Sequence, residues 1–326
     1  MPLQNLPHDE TQIHPYEQRM PLNAFTNTFA GNPLDRCSYR RTDGAWLAER
    51  LADPASLAVV LWNGKPMLED SKSGTLIAYL QAKTAVALAG GAEQTLFMGL
   101  WHEVAVFAVD LDGAADPADG PLQGLGRFED LRVAAPNMPV GDAAIAATAK
   151  SMFEWRRKHQ FCASCGAPSK VAEGGWKRVC PACKAQHFPR TDPVVIMLAV
   201  NGERCLLGRQ AAWPKTMYSA LAGFLEPGET IEEACARELY EEASVRVTSV
   251  RYHSTQPWPW PSSLMIGLIA DIEDGEAVPD NIEIDEVRWF TREETRAMLR
   301  GELADAKAPG SLAIASQLIR AWAEED

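Results

Sequence analysis

The stretch from Gly223 to Val245, GFLEPGETIEEACARELYEEASV, holds seven glutamates in 23 residues, and it constrains the fold more than any other part of the chain. Carboxylates this close repel one another unless cations hold them together. Hard divalent ions such as Mg²⁺ or Mn²⁺ are the cations that clustered carboxylate oxygens bind. The stretch therefore predicts a metal site.

The same residues predict a helix whose start is well defined. Thr230 and Glu233 form a capping box, so the helix is expected to begin there and to run to about Ala243. At about 100° per residue, Glu238 and Glu242 share its apolar stripe, while Glu233 lies on the opposite face. We therefore expect these two carboxylates to face a cleft. The alternative is a charged surface helix with ordinary ion pairs.

The loop from Gly223 to Gly228 leads into the N-terminus of this helix. Backbone N–H groups and the helix dipole make such a position suitable for phosphate. A phosphate-binding loop beside carboxylate-held metals indicates hydrolysis at phosphorus, because bound metals polarise phosphoryl oxygens and activate water.

Together these residues resemble the Nudix box, which reads glycine, five residues, glutamate, seven residues, then Arg-Glu-aliphatic-x-Glu-Glu-x-Gly-aliphatic. The matching positions are Gly223, Glu229, Arg237, Glu238, Leu239, Glu241, Glu242 and Val245. Ser244 departs from the pattern, since the family has glycine at this helix end, where φ is often positive. We expect serine to destabilise the protein there by about 1 kcal/mol without touching a metal ligand.

Length and composition set the frame for this motif. With 326 residues and 46% hydrophobic content, the chain is long enough for two domains, or two and a small insert. A net charge of −13 argues against a general nucleic-acid-binding surface, which would need lysine and arginine to neutralise phosphates. No apolar run approaches the roughly 18 residues of a membrane span, and no signal-peptide core is present, so a cytoplasmic location is expected.

Four cysteines form two CxxC pairs, with the spacing of a zinc ribbon. They are Cys162, Cys165, Cys180 and Cys183. Four thiolates leave no position for a catalytic water, so one structural Zn²⁺ is predicted. Disulfides and unpaired core cysteines are the alternatives, and a reducing compartment disfavours the first. Cys37, Cys205 and Cys235 are isolated and are expected to be ordinary buried thiols.

Hydrophobic patterning predicts an α/β (α+β) protein with a mixed sheet. Strands are expected at 57–62, 104–111, 194–200 and 264–272, with a turn at Asn63-Gly64 and a hairpin turn at Asn201-Gly202. Helices are expected at 142–160, 291–300 and 311–323, and a connection at 112–126. Three domains are predicted. Residues 1–150 form a scaffold without a chemical motif, residues 157–188 form the ribbon, and residues 189–323 form the catalytic domain.

The segment QPWPWPSS narrows the substrate. Alternating proline and tryptophan is too stiff for a helix or a central strand, and its rings suit stacking on flat ligands. The alternative is a surface loop whose tryptophans fill gaps in the core. The segment is similar to the SQPWPFPxS motif of the NADH pyrophosphatase branch of Nudix hydrolases, with Thr255 for serine and Trp260 for phenylalanine. The resemblance covers residues 155 to 320 and is weak over the first 140.

This resemblance implies a Nudix α/β/α sandwich preceded by a four-cysteine zinc ribbon and a degenerate Nudix-like domain that supports a homodimer. It implies two to three Mg²⁺ or Mn²⁺ ions, held by Glu238, Glu242, Glu283 and the carbonyl of Ala222, with Glu286 as the fallback for Glu283. Glu241 or Glu242 would act as base. The implied substrate contacts are Phe188, which acts across the dimer interface, Phe224, Gln256, Pro257, Trp258, Pro259, Trp260, Pro261, Ser262, Ser263 and Ala313. A glutamate that the family carries near the ribbon is replaced by Gly175.

The activity implied is hydrolysis of the pyrophosphate of NAD(H) to nicotinamide mononucleotide and AMP. One alternative is the same chemistry on the NAD cap at the 5′ end of RNA, helped by basic residues around the ribbon. Those residues are Arg156, Arg157, Lys158, Lys177 and Arg178. A more distant alternative is a non-enzymatic nucleic-acid or protein-binding module built on the ribbon with a decayed box. No membrane partner is expected.

Overall fold

A computed structural model describes residues 27–72 and 74–325 of the chain. It contains two compact units: unit 1 comprises residues 27–190 with Pro259–Ser262, and unit 2 comprises the rest from Thr191 onward. No helix in the described ranges combines the length and apolar character that crossing a bilayer requires.

Unit 1 begins with a seven-stranded sheet and four helices. Its helices are α1 (Gly44–Ala52), α2 (Ala82–Leu88), α3 (Leu131–Ala134) and α4 (Val140–Lys158). Its strands are β1 (Leu57–Trp62), β2 (Lys65–Ser71), β3 (Gly74–Ile77), β4 (Leu80–Gln81), β5 (Leu96–Trp101), β6 (Val104–Leu111) and β7 (Arg127–Phe128). Short 3₁₀ turns cover Ser38–Arg40, Ala92–Gln94, Pro117–Asp119, Ala135–Asn137 and Glu173–Gly175.

The first sheet has the order β3-β2-β1-β6-β5, with β4 on β1 and β7 on β2. Only β1 and β6 run parallel among its described pairs. The apolar runs of these two central strands are buried, as expected for strands covered on both faces. Cys37 lies in this core, so it is a buried thiol as predicted.

The segment predicted as a zinc ribbon completes unit 1. It is a small antiparallel sheet of β8 (Lys170–Ala172), β9 (Lys177–Val179) and β10 (Gln186–His187). So small a sheet buries little apolar surface, and it therefore needs the cysteine cluster to order it.

Unit 2 is a six-stranded mixed sheet with three helices. Its strands are β11 (Asp192–Asn201), β12 (Arg204–Arg209), β13 (Leu221–Phe224), β14 (Val247–Trp258), β15 (Ser263–Ile272) and β16 (Glu286–Thr291). Its helices are α5 (Ile231–Ala243), α6 (Arg292–Leu299) and α7 (Ile314–Glu324). The order is β14-β15-β11-β12-β16, with β13 on β11.

The central strand β11 explains why this unit has three layers. Its side chains alternate between two cores: Val195 and Met197 pack with Leu239 of α5, whereas Ile196 and Leu198 pack with the residues of α7. Because both faces of the sheet are apolar, each must be covered by helices. The predicted α/β/α sandwich with a mixed sheet is confirmed.

The two sheets share one topology. Each contains a hairpin, β1-β2 in the first sheet and β11-β12 in the second. The first strand of the hairpin pairs with a parallel strand, β6 or β15, and an antiparallel strand, β5 or β14, lies on the other side of that parallel strand. A short strand pairs with that first strand and leads into a helix, α2 in unit 1 and α5 in unit 2. α2 reads AKTAVAL and carries no carboxylate. This shared strand order agrees with the degenerate Nudix-like domain that the resemblance implies for the N-terminal half.

Candidate functional site

Helix α5 positions the glutamate cluster. It begins at Ile231 behind Thr230, whose hydroxyl accepts the N–H of Glu233 while the Glu233 carboxylate accepts the N–H of Thr230. Glu242 is buried and Glu233 is exposed, as the helical phase predicts. Leu239 anchors the same face in the core, which fixes the rotation of the helix.

Glu242 is the most unusual group in this cluster. It is 4% exposed, and its Oε2 has no hydrogen-bond partner among the described residues. Burial, followed by the nearby charges of Glu238, Glu283 and Asp280, raises its pKa to about 8, and the backbone of Ala222 partly offsets this. A buried carboxylate among other carboxylates, with one oxygen unpartnered, has the donor chemistry that a divalent cation requires. The residues thus fit a metal site.

Glu238 lies against the backbone of Gly223 at the end of β13. A Cβ at that position would fall 1.8 Å from the carboxyl carbon of Glu238, so any side chain there would displace the carboxylate. Arg237 holds this carboxylate from the other side, at 2.8 Å, and also binds Glu229 at 2.5 Å and Glu241 at 3.0 Å. One guanidinium therefore orders the acidic face.

The loop before β16 brings a further carboxylate to this face. Asp280 accepts the N–H groups of Ile282, Glu283 and Ile284, and the N–H of Asp280 bonds to the carbonyl of Glu242. Glu283 is thereby tied to the end of α5. Sequence reasoning missed Asp280, although an Asp-Asn pair signals such a turn.

Glu286, the fallback for Glu283, lies in a different network. Arg209 Nη2 binds it at 3.0 Å and Asp285 at 2.6 Å, and Tyr218 and Arg209 lower its pKa. The groups that raise the pKa of Glu242 include Glu283 and not Glu286. Glu283 is thus the better candidate ligand.

A cavity of about 210 Å³ lies within unit 2 next to this acidic face. Glu242 and Ala222 border it, together with Trp258 from β14 and Ala313 at the start of α7. Trp213 also lines it, a residue that sequence reasoning missed because it stands outside any motif. A carboxylate and an aromatic ring thus border the same cavity.

Gln256 borders this cavity and also holds the backbone of its neighbours. It is 1% exposed; its amide N–H donates to the carbonyl of Leu312 at 2.8 Å, and its oxygen accepts the N–H of Ile314 at 2.8 Å. Both ends of the amide therefore hold the backbone on either side of Ala313. The residue positions one border of the cavity.

The two tryptophans of QPWPWPSS have different surroundings. Gln256, Pro257 and Trp258 belong to β14, an edge strand as proline requires. Trp260, in the turn before β15, belongs to unit 1, where its ring packs edge-on against Phe29 at 5.6 Å and under the guanidinium of Arg132 at 4.4 Å.

The remaining predicted contacts differ in exposure. Phe188 and Phe224 are each 61% exposed, so each ring has a free face. Pro259 and Ser263 are buried, Ser262 is half-buried, and Pro261 is exposed. Their roles in binding stay predictions.

The four ribbon cysteines form a compact cluster. Their Sγ atoms lie within 4.8 Å of one another, with 3.6 Å between Cys162 and Cys183 and 3.5 Å between Cys165 and Cys180. Tetrahedral Zn²⁺ with bonds of about 2.3 Å needs sulfurs about 3.8 Å apart. His187 Nε2, at 3.3 Å from the sulfur of Cys162, adds a polar contact to this thiolate. The cluster supports a structural zinc.

Comparisons with known proteins agree with this geometry. Residues 55–155 match the NADH pyrophosphatase-like rudimentary NUDIX domain, residues 157–188 the NADH pyrophosphatase zinc ribbon domain, and residues 189–309 the NUDIX domain. The chain is 37% identical to the NAD-capped RNA hydrolase NUDT12 of Macaca fascicularis, over 91% of this chain and 73% of that protein. The chain belongs to the Nudix hydrolases of the NADH pyrophosphatase type.

Two further relatives complete the comparison. The NAD-capped RNA hydrolase NudC of Mycobacterium bovis is 38% identical, over 86% of this chain and 93% of its own. A solved Nudix hydrolase from Nitrosomonas europaea is 26% identical, with a TM-score of 0.42, over 51% of this chain and 91% of its own.

Gly175, which departs from the Nudix relatives' pattern, has a structural reason. Its φ is +98°, and a Cβ there would meet the Leu96 side chain at 2.9 Å and the Thr95 carbonyl at 3.2 Å. A glutamate does not fit this backbone. Any family contact made from that position is therefore absent here.

Ser244, which departs from the pattern within the Nudix box, lies in the left-handed region with φ 58° and ψ 23°. Because a Cβ is unfavourable there, Ser244→Gly should raise the free energy of unfolding by about 1 kcal/mol. Urea unfolding measures this change. Ser244→Ala, which keeps the Cβ, is the matched control and should show no gain; equal stability of the glycine variant and the wild type would contradict the argument.

Proposed function

We propose that the chain hydrolyses the pyrophosphate bond of NAD(H) to nicotinamide mononucleotide and AMP. The observation that carries this proposal is the buried Glu242 carboxylate, which borders a cavity that also holds Trp258. The family domains are named for NADH pyrophosphatase, and two relatives are named NAD-capped RNA hydrolases, which supports a nicotinamide dinucleotide as substrate.

Glu238, Glu242, Glu283 and the Ala222 carbonyl would hold two to three Mg²⁺ or Mn²⁺ ions. When bound, such ions polarise phosphoryl oxygens and favour ionisation of water. Arg237 keeps the carboxylate of Glu238 in place, and the Asp280 turn orients the backbone that carries Glu283. Glu241 is mostly exposed and pairs with Arg237, and its role as base stays a prediction.

Substrate choice would come from the cavity of unit 2. We expect Trp258→Ala to raise KM for NADH roughly tenfold, since removing an aromatic ring that stacks on a base has such an effect. Steady-state kinetics with NADH and with a diadenosine pyrophosphate would measure this. Hydrolysis of the second substrate should change less.

The matched control is Tyr252→Ala, because Tyr252 is an exposed aromatic residue on the same strand and does not border the cavity. It should leave both substrates unaffected. If Trp258→Ala changes both substrates equally, the cavity does not select the nicotinamide dinucleotide.

Removal of the NAD cap from RNA is the second candidate, supported by the names of the relatives. The basic residues near the ribbon lend it little support. Arg157 and Lys158 both pair with Glu154, and Lys177 pairs with Glu173. Measuring kcat/KM for NADH, NAD⁺ and NAD-capped RNA with Mg²⁺ and with Mn²⁺ would rank the substrates. Absence of nicotinamide mononucleotide release, in reduced or oxidised form, from all three would refute the hydrolase and favour a binding module.

The assembly is also proposed. The domains would be residues 1–150, 157–188 and 189–323, and the exposed Phe188 ring would act across a homodimer interface. Light scattering on the purified protein would measure the oligomeric state, and a monomeric protein would contradict the proposed homodimer. The cytoplasmic location stays a prediction from the sequence.

A further inference from the structure

A cavity in unit 1 has a volume of about 720 Å³. Helix α1, the segment before β5, the end of α4 and the zinc ribbon border it. Small-molecule sites commonly occupy about 300–1,000 Å³, so this cavity can admit a ligand. It has no part in the hydrolysis proposed above.

Two buried arginines, Arg156 from α4 and Arg178 from β9, stand in its wall. They are 6% and 8% exposed. Arg156 donates to the carbonyls of Thr95 at 3.0 Å and Glu93 at 2.9 Å. These bonds hold its guanidinium in place before any ligand arrives.

Arg178 is held in a similar way by the backbone and a hydroxyl. Its Nε donates to Ser169 Oγ at 2.8 Å, and its Nη2 donates to the carbonyls of Ser169 and Gln160. Its Nη1 has no acceptor among the described residues, and neither has Nε of Arg156. Both side chains therefore retain charged donors.

No carboxylate of a described residue lies within ion-pair distance of either guanidinium. Four acidic residues stand on the cavity border. Glu173 binds Lys177, Asp110 accepts the N–H of Gly64, and the carboxylates of Glu93 and Asp112 make no ion pair with either arginine. Burial and the charge of Arg178 lower the pKa of Arg156 to about 10. Buried charges are normally paired. Two neighbouring buried arginines without a carboxylate partner are therefore suited to bind an anionic ligand.

We propose that this cavity binds the phosphate group of a small phosphorylated molecule no larger than a mononucleotide, with Arg156 and Arg178 as its ligands. Arginine suits this role because its planar guanidinium donates two parallel hydrogen bonds to phosphate. The aromatic ring of Phe153, 5.3 Å from the Arg156 guanidinium, borders the same space and offers an apolar surface to the rest of the ligand.

An RNA chain is a poorer occupant. A polynucleotide needs a row of free cations, but the exposed Arg157 on the cavity border and its neighbour Lys158 share the carboxylate of Glu154. The enclosed pair of arginines instead matches a single phosphate.

Titration calorimetry on the full-length, zinc-loaded protein without added Mg²⁺ or Mn²⁺ tests the proposal. The probes are AMP, UMP, ribose 5-phosphate and inorganic phosphate, with adenosine and uridine as unphosphorylated controls. We expect saturable binding of the phosphorylated probes and at least about a tenfold loss of affinity in Arg178→Met, the effect of removing one charge-assisted hydrogen bond. The matched control Lys158→Met removes an exposed charge outside the cavity and should bind normally.

A second variant guards against misfolding of Arg178→Met. Ser169→Asp places a carboxylate against Arg178, whose Nε donates to the Ser169 hydroxyl at 2.8 Å, so it should pair the buried guanidinium and remove phosphate binding while circular dichroism shows a folded protein. Phosphate binding that survives in both variants, or no binding in the wild type, overturns the proposal. So does binding that needs a 5′-phosphorylated RNA decamer and is absent for the mononucleotides. The assay requires no turnover, so its outcome is independent of the catalytic assignment.

Discussion

Glu242→Gln should lower kcat for NADH hydrolysis by at least roughly a thousandfold and leave the fold intact, because a bound metal contributes several kcal/mol of charge stabilisation. Glutamine has nearly the same shape as the glutamate it replaces, and Glu242 is 4% exposed, so packing is preserved. AMP release in the presence of Mn²⁺ measures the loss. Circular dichroism reports the fold.

The metal-free stability of this variant separates a lost ligand from a damaged core. The wild type buries a carboxylate with an unpartnered oxygen, so without metal Glu242→Gln should unfold at a higher temperature than the wild type. Glu232→Gln, an exposed substitution on the same helix, is the control and should change neither quantity. Near-normal turnover by Glu242→Gln would exclude the carboxylate from the reaction.

Cys180→Ser should abolish zinc binding and unfold the ribbon. Cys180 is fully buried, its sulfur accepts the N–H of Cys183, and the three short strands around it bury little else. Because binding of a structural zinc supplies about 10–16 kcal/mol to such folds, loss of one ligand should be decisive. Elemental analysis measures the metal, and limited proteolysis detects cleavage within residues 157–188.

Cys37→Ser is the control for this experiment, since Cys37 is also buried but lies in the core of the first sheet. It should keep a full equivalent of zinc. A wild-type protein that contains no zinc, or one in which these cysteines form disulfides, would contradict the assignment.

Sequence reasoning succeeded where local signals determine structure. The capping box set the first turn of α5, and the left-handed conformation of Ser244 followed from the glycine that the family has there. The strands at 57–62 and 104–111 were predicted at their observed bounds, because continuous apolar runs end at clear turns. Cys205 and Cys235 are buried thiols as expected.

Long-range contacts were beyond such reasoning. Nothing near Gln256 in the chain indicates that its amide would hold the backbone at Leu312 and Ile314, 56 and 58 residues away. The packing of the Trp260 ring against Phe29 in unit 1 was likewise not predicted, and its contact with substrate stays a prediction. Such partners depend on tertiary packing, which a periodic pattern does not encode.

The two sheets have the same strand order but different helices after the short strand, so the two halves of the molecule can be compared directly. Both halves keep the parallel central pair and the helix that follows the short strand, but α2 is built from alanine, valine, lysine, threonine and leucine, whereas α5 carries the glutamates. The first sheet thus keeps the fold without the carboxylates that could hold a metal, and the second sheet keeps both. Substitutions in the first sheet should therefore alter the abundance and lifetime of the protein. Substitutions in the second sheet should alter its rate of hydrolysis.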